Sequence, residues 1–302
     1  MTGLSDRLLL LNLGSPSHLL SMTPAGEDIQ KLVPDCGPAP DGLAVDPVHQ
    51  HIFWTNMGRV REGEDFPAND GWIERVDFDG GNRITIVQPG QTFTPKQIQC
   101  DAENGYLYWC DREGMRVMRA CTDGSELTVL VQTGSTDADR ADRRRHCVGI
   151  AVDLKAGALF WTLKGKPNGN EGRIMRAGPD LPPGMSPDAR TDIELLFDNL
   201  PEPIDLEWVS ETGYLYWTDR GDGPDGNTLN RSIIRDGLPM AREIIMTGLQ
   251  EAIGLALDRT NQRAFVGDLA GAVRVMNLDR PDVGKVVFSG HGPLTGVAYV
   301  EA

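Results

Sequence analysis

Two short apolar patterns take turns along the chain. The first reads DGLAVD at 41–46, KQIQCD at 96–101, VGIAVD at 148–153, IDLEWV at 204–209, IGLALD at 253–258 and TGVAYV at 295–300. Each is brief, apolar and rich in β-branched residues, which predicts a buried strand. A tight turn, such as DAENG at 101–105 or SETG at 210–213, leads to the second pattern. That pattern is aromatic: IFWTN at 52–56, YLYWCD at 106–111, LFWTL at 159–163, YLYWTD at 214–219 and, more weakly, AFVGD at 264–268. Its copies step by 49 to 56 residues, so the repeated unit is a supersecondary one. After it come two alternating segments around a Gly/Asp turn, as in WIERVDFDGGNRITIV at 72–87 and RVMRACTDGSELTVLV at 116–131. That is a hairpin signal. One repeat is therefore four antiparallel strands, A to D.

The ends of the chain complete the count. The pattern at 295–300 is an A strand alone, whereas LLLLNL at 8–13 and HLLSMTPAGEDIQKLV at 18–33 read as B, C and D without an A. Joined, they make a sixth unit and close a ring of sheets without a free edge. The expected fold is all-β, a single domain over 1–302. It is a six-bladed β-propeller of four-stranded antiparallel blades, the last closed by N- and C-terminal strands. YLYWTD at 214–219 resembles in full the motif of the YWTD propeller family of low-density-lipoprotein receptors, and the resemblance covers nearly the whole chain. Leu163 and the FVGD copy depart from it. In this reading the aromatic pairs, including Trp54, Trp109, Trp161 and Trp217, pack blade against blade. The acid that ends each motif ties a turn or a neighbouring blade through backbone N–H groups.

Charge and cysteine usage narrow the function. Against 29 Lys and Arg stand 44 Asp and Glu, a net charge of −15. An acidic surface repels phosphate backbones, so no nucleic-acid partner is expected. No apolar run approaches the roughly 18 residues of a membrane span, and the leucine run at 8–11 is too short for a signal-peptide core. Cys36, Cys100, Cys110, Cys121 and Cys147 are odd in number and form no CxxC pair. They read as reduced thiols of a cytoplasmic protein, a standalone propeller without the cysteine-rich modules that flank receptor propellers.

The long connections choose a face. A–B and C–D turns share one end of a propeller; B–C and D–A connections share the other, here called the top. Segments 56–71, 132–146, 163–172 and 219–227 all map to the top, while 178–190 is the one long bottom turn. They predict walls around the channel mouth. Most A strands begin with Gly42, Gly149, Gly254 or Gly296 followed by an apolar residue, but two carry Gln97 and Asp205 instead. The candidate catalytic residues are Asp205, His146, Lys96 and Gln97. The candidate substrate-binding residues are Asp41, Glu202, Glu251, Phe66, Phe93 and His291, all expected near the upper rim. A histidine facing a carboxylate suits acid–base chemistry. No metal site is expected, because the histidines lack a zinc spacing and DRGDGPDGN at 219–227 lacks that of an EF-hand. No nucleophile elbow, phosphate loop, dinucleotide fingerprint or HExxH helix is present, so no cofactor is expected.

Two functional readings follow. The first is a cofactor-independent enzyme acting on a small molecule: an isomerase, lyase or cyclase. The resemblance to standalone fungal and bacterial YWTD-like propellers extends this to secondary metabolism and pericyclic cyclisation. The second is a non-catalytic propeller that binds a ligand or a protein partner on the same face. A top cavity lined by Phe66, Phe93 and Met57 favours the first; a flat charged top favours the second.

Overall fold

Every apolar pattern forms a strand. The computed structural model describes residues 6–60, 66–281 and 284–301, so residues 61–65 of the 56–71 top loop lie outside the described residues. The innermost A strands are Pro40–Asp46, Pro95–Asp101, Cys147–Asp153, Pro203–Val209, Ala252–Asp258 and Leu294–Val300. Five of them pair with an aromatic B strand and the sixth with the leucine-rich Arg7–Asn12, and the chain lays six antiparallel sheets around a channel. Blades one to five follow in chain order from Pro40. The sixth joins Leu294–Val300 to Arg7–Asn12, with Leu8 opposite Tyr299 and Leu10 opposite Val297.

The fourth blade differs from the four-strand expectation. Its C strand, Thr228–Arg235, pairs first with a two-residue strand, Leu238–Pro239, and then with Glu243–Met246. Asp236 and Gly237, both at positive φ, make a tight hairpin, and the D strand restarts after Pro239.

Two repeated devices join the blades. A strands of neighbouring blades nearly touch at the top: a Cβ on Gly149 would sit 1.9 Å from the Ile204 carbonyl oxygen, and one on Gly254 2.2 Å from that of Thr295. Only glycine permits that approach. The motif threonine then relays a hydrogen bond between blades. Gly42 N–H donates to Thr55 Oγ1 (2.8 Å), which donates to the Lys96 carbonyl of the next blade (2.9 Å). Thr162 and Thr218 repeat the relay. Cys110 stands where the second blade lacks this threonine, and its thiol donates to the Gly149 carbonyl (3.2 Å).

The motif acid pins the D–A connection. Asp111 accepts from the N–H groups of Phe93 (3.0 Å) and Thr94 (2.7 Å), and Asp219 accepts from that of Glu202 (2.5 Å). Trp54, Trp109, Trp161 and Trp217 are fully buried. The 132–146 segment is partly helical. Thr136 caps Asp137–Ala141 through a capping box with Asp139, a signal present in the sequence as TDAD.

Candidate functional site

The residue after each B strand builds the top of the channel. These are Leu13, Met57, Arg112, Lys164, Arg220 and Leu269, one per blade. Each donates its backbone N–H to a carbonyl of the D–A connection: Leu13 to Pro293, Met57 to Ala39, Arg112 to Thr94, Lys164 to His146, Arg220 to Glu202, Leu269 to Glu251. One backbone bond, repeated around the ring, therefore fixes all six side chains at one height. Their order is informative. Blades two to four supply three cations, and blades five, six and one supply three apolar side chains.

All of these but Lys164 line a cavity of about 260 Å³. Its apolar wall includes Leu13, Ala39, Met57, Phe66, Ile253 and Leu269; its polar side is Asp41, Lys96, Arg112 and Arg220. Phe66 packs on Ala39 and Met57, and the Arg112 guanidinium lies over its ring at 5.3 Å. At the floor, Lys96 Nζ donates to Asp41 Oδ1 and to Met57 Sδ (3.3 Å), while Gln97 Nε2 donates to Asp41 Oδ2 (3.2 Å). Asp41 is 1% exposed and Lys96 8%. Burial pushes the Lys96 ammonium below its ordinary pKa; the Asp41 carboxylate opposes the shift, and Arg112 and Arg220 add to it.

A second buried pair lies beside the cavity. Lys164 Nζ meets Glu202 Oε1 at 2.5 Å, and Arg220 Nε lies 3.3 Å from Glu202 and 2.9 Å from Glu251. Burial lowers the Lys164 pKa to about 8 against the pull of Glu202. Glu251 itself is exposed.

Other candidates are placed away from the cavity. His146 is buried, with Nε2 on the Arg140 carbonyl (2.9 Å) and Nδ1 without a partner among the described residues; burial lowers its pKa, opposed chiefly by Glu113. Phe93 is not part of the wall: the Arg140 guanidinium lies over its ring at 4.3 Å. His291 is exposed and stacks on Phe288, with centroids 4.8 Å apart.

Gln97 and Asp205 were expected at the upper rim, but strand alternation turns them down the channel. With Gln99, Glu207 and Arg259 they line a lower space of about 350 Å³. The Asp205 carboxylate accepts N–H groups from Leu206 (2.9 Å) and, across the blade boundary, Leu255 (2.9 Å). Asparagine offers one acceptor where two N–H groups arrive. Asp205→Asn is therefore expected to lower the melting temperature by about 3–6 °C, without altering binding at the top. Unchanged melting by scanning fluorimetry would show that this tie carries no weight.

Glu207 gives the lower channel a pH response. Burial raises its pKa from 4.5 to about 7, opposed by Arg259 and Gln99. A raised carboxyl holds its proton longer in the folded state. Its stabilising contribution is thus full below about pH 4.5 and is lost as pH rises to about 7. Melting is expected to be higher at pH 5 than at pH 7.5, and Glu207→Gln to shrink that difference by about 5 °C. An unaltered difference in the variant would assign the effect to other carboxyls, such as Asp219, which burial also raises to about 7.

A closed ring with an amphipathic cup above its channel defines the class: a six-bladed β-propeller with its cavity on the top face. No protein-family model matches the chain. A Pyricularia oryzae protein named low-density lipoprotein receptor-related protein 1 is 42% identical over 94% of this chain and 92% of its own length. The chain belongs to the YWTD β-propeller family of low-density-lipoprotein receptor-related proteins. A Cochliobolus heterostrophus protein named 3-hydroxyacyl-CoA dehydrogenase-like protein LAM1 is 40% identical over 86% of the chain, which spans 56% of that relative. Among solved structures, a nidogen–laminin complex superposes with a TM-score of 0.73 at 21% identity over 98% of both chains. A Xanthomonas campestris gluconolactonase superposes at 0.60 and 19% identity over 85% of this chain and 78% of its own. Both likenesses show the fold alone.

Proposed function

We propose that the protein is a cofactor-independent enzyme acting in the top cavity on a small amphipathic anion, by isomerisation, elimination or cyclisation. The division of the ring into a cationic half and an apolar half carries this reading. The Arg112 and Arg220 guanidiniums seat an anionic group, while Leu13, Met57, Phe66 and Leu269 hold an apolar body. Charge that develops on an oxygen near the cationic half is stabilised by donors already in place. Lys96 and Asp41 meet at the floor as a buried acid and base, suited to moving one proton within a bound substrate. A pericyclic step of secondary metabolism asks only for orientation and charge of this kind.

The second reading is a ligand-binding propeller without turnover; the receptor-related name of the Pyricularia relative favours it. Metabolite extract incubated with the protein separates the two. An enzyme depletes a compound and yields a product of equal mass or one lighter by a leaving group; a binding protein retains a compound unchanged.

A further inference from the structure

The third blade breaks the repeat in three places that meet in one groove. Its B strand, Ala158–Leu163, ends in Leu163 where neighbouring blades end in Asp111 and Asp219. Opposite Leu163 in the register stands Arg173, just as Arg116 stands opposite Asp111 in the second blade. There Arg116 Nε donates to Asp111 Oδ2 (3.1 Å). Arg173 has no such carboxylate: its Nη2 donates to the Arg144 carbonyl (2.6 Å), and no ion pair forms with it among the described residues.

The tryptophan of the same strand has lost its acceptor. Trp54 Nε1 donates to the Cys36 carbonyl (3.3 Å) and Trp109 Nε1 to Thr92 Oγ1 (3.1 Å), both in the segment leading into their own blade. In the third blade, Thr133 of that segment donates instead to the carbonyls of Met115 and Arg145. Trp161 Nε1 is buried without a partner among the described residues. The Trp217 N–H also lacks one, but its ring packs on Phe197 and its strand keeps Asp219.

Trp161, Leu163 and Arg173 line a groove of about 450 Å³ between blades two and three. Arg144 and Arg145 form its rim; Val131, Met175 and Ile193 add an apolar wall. Asp142 holds Arg144 through two N–H groups (2.8 and 2.9 Å), and Asp139 holds Arg145 (3.3 Å), so both guanidiniums stay oriented. A guanidinium has five donors, and these contacts leave some unspent. From these observations we infer that the groove is a second ligand site, separate from the top cavity, for a small carboxylate with an aliphatic tail. The ligand's carboxylate takes over the role of the missing motif acid as the partner of Arg173. It accepts from Arg173 and from the Trp161 indole N–H, and its tail lies on the apolar wall.

Hexanoate serves as the probe. Titrated into ¹⁵N-labelled protein, it is expected to move the Trp161 indole N–H resonance, assigned through its loss in Trp161→Phe. Hexanol, without the charge, leaves the resonance in place. Arg173→Gln is expected to weaken hexanoate binding at least about 10-fold. Leu163→Asp restores the carboxylate and is expected to block binding while shifting the resonance without ligand. A resonance unmoved by hexanoate, or equal affinity in Arg173→Gln, overturns the site. Neither result bears on the top cavity, whose residues these variants leave untouched.

Discussion

Deleting residues 292–302 is expected to make the protein aggregate. The deletion removes the strand Leu294–Val300, which supplies the buried Leu294, Val297, Ala298 and Val300. It exposes the strand Arg7–Asn12 along a hydrogen-bonding edge, with Leu8 and Leu10 no longer covered. It also breaks the ring: Thr295 Oγ1 donates to the Pro40 carbonyl of the first blade (3.0 Å), and Asn12 loses its carbonyl partners at Gly292 and Pro293. An apolar unpaired edge templates association between chains. Size-exclusion chromatography reads the outcome. A truncated chain that elutes as a monomer with unchanged melting would show that closure between the ends does not hold the ring.

The same repeats explain which features were legible in the sequence. Strand A and strand B each carry a pattern that recurs, so their existence, order and closure follow from spacing. The roles of the motif threonine and glycine concern contacts between blades, and no single copy displays them. The site was partly legible. The start of strand A marks Asp41 and Lys96, which face the top cavity. It also marks Gln97 and Asp205, whose alternation points them down the channel. The cationic and apolar halves were missed although the signal was present. Aligning the residue after each motif reads Met57, Arg112, Lys164, Arg220, Leu269 and Leu13 directly. Phe93 and His291 lie on top loops by sequence, but their orientation depends on Arg140 and Phe288, which the repeat does not encode.

A single substitution tests a proton-transfer role for the floor pair poorly. Lys96→Met leaves Asp41 as a buried charge with Gln97 as its remaining side-chain partner among the described residues. A partner lost from such a pair costs about 3–5 kcal/mol, so low activity would report damage to the fold. The double variant Asp41→Asn/Lys96→Gln keeps size and hydrogen bonding and removes both charges together. Its melting temperature is expected to stay within about 5 °C of the parent. Turnover of the compound found in extract is expected to fall about 100-fold or more, with little change in KM if Arg112 and Arg220 seat the anion as proposed. Arg220→Gln should show the opposite split, a raised KM with a smaller loss in kcat, if its contact is equal in ground and transition states. A double variant that is folded and fully active would remove Lys96 and Asp41 from the chemistry. A double variant that binds the compound as the parent does, where the parent never converts it, would make the cavity a binding site and the buried pair its structural floor.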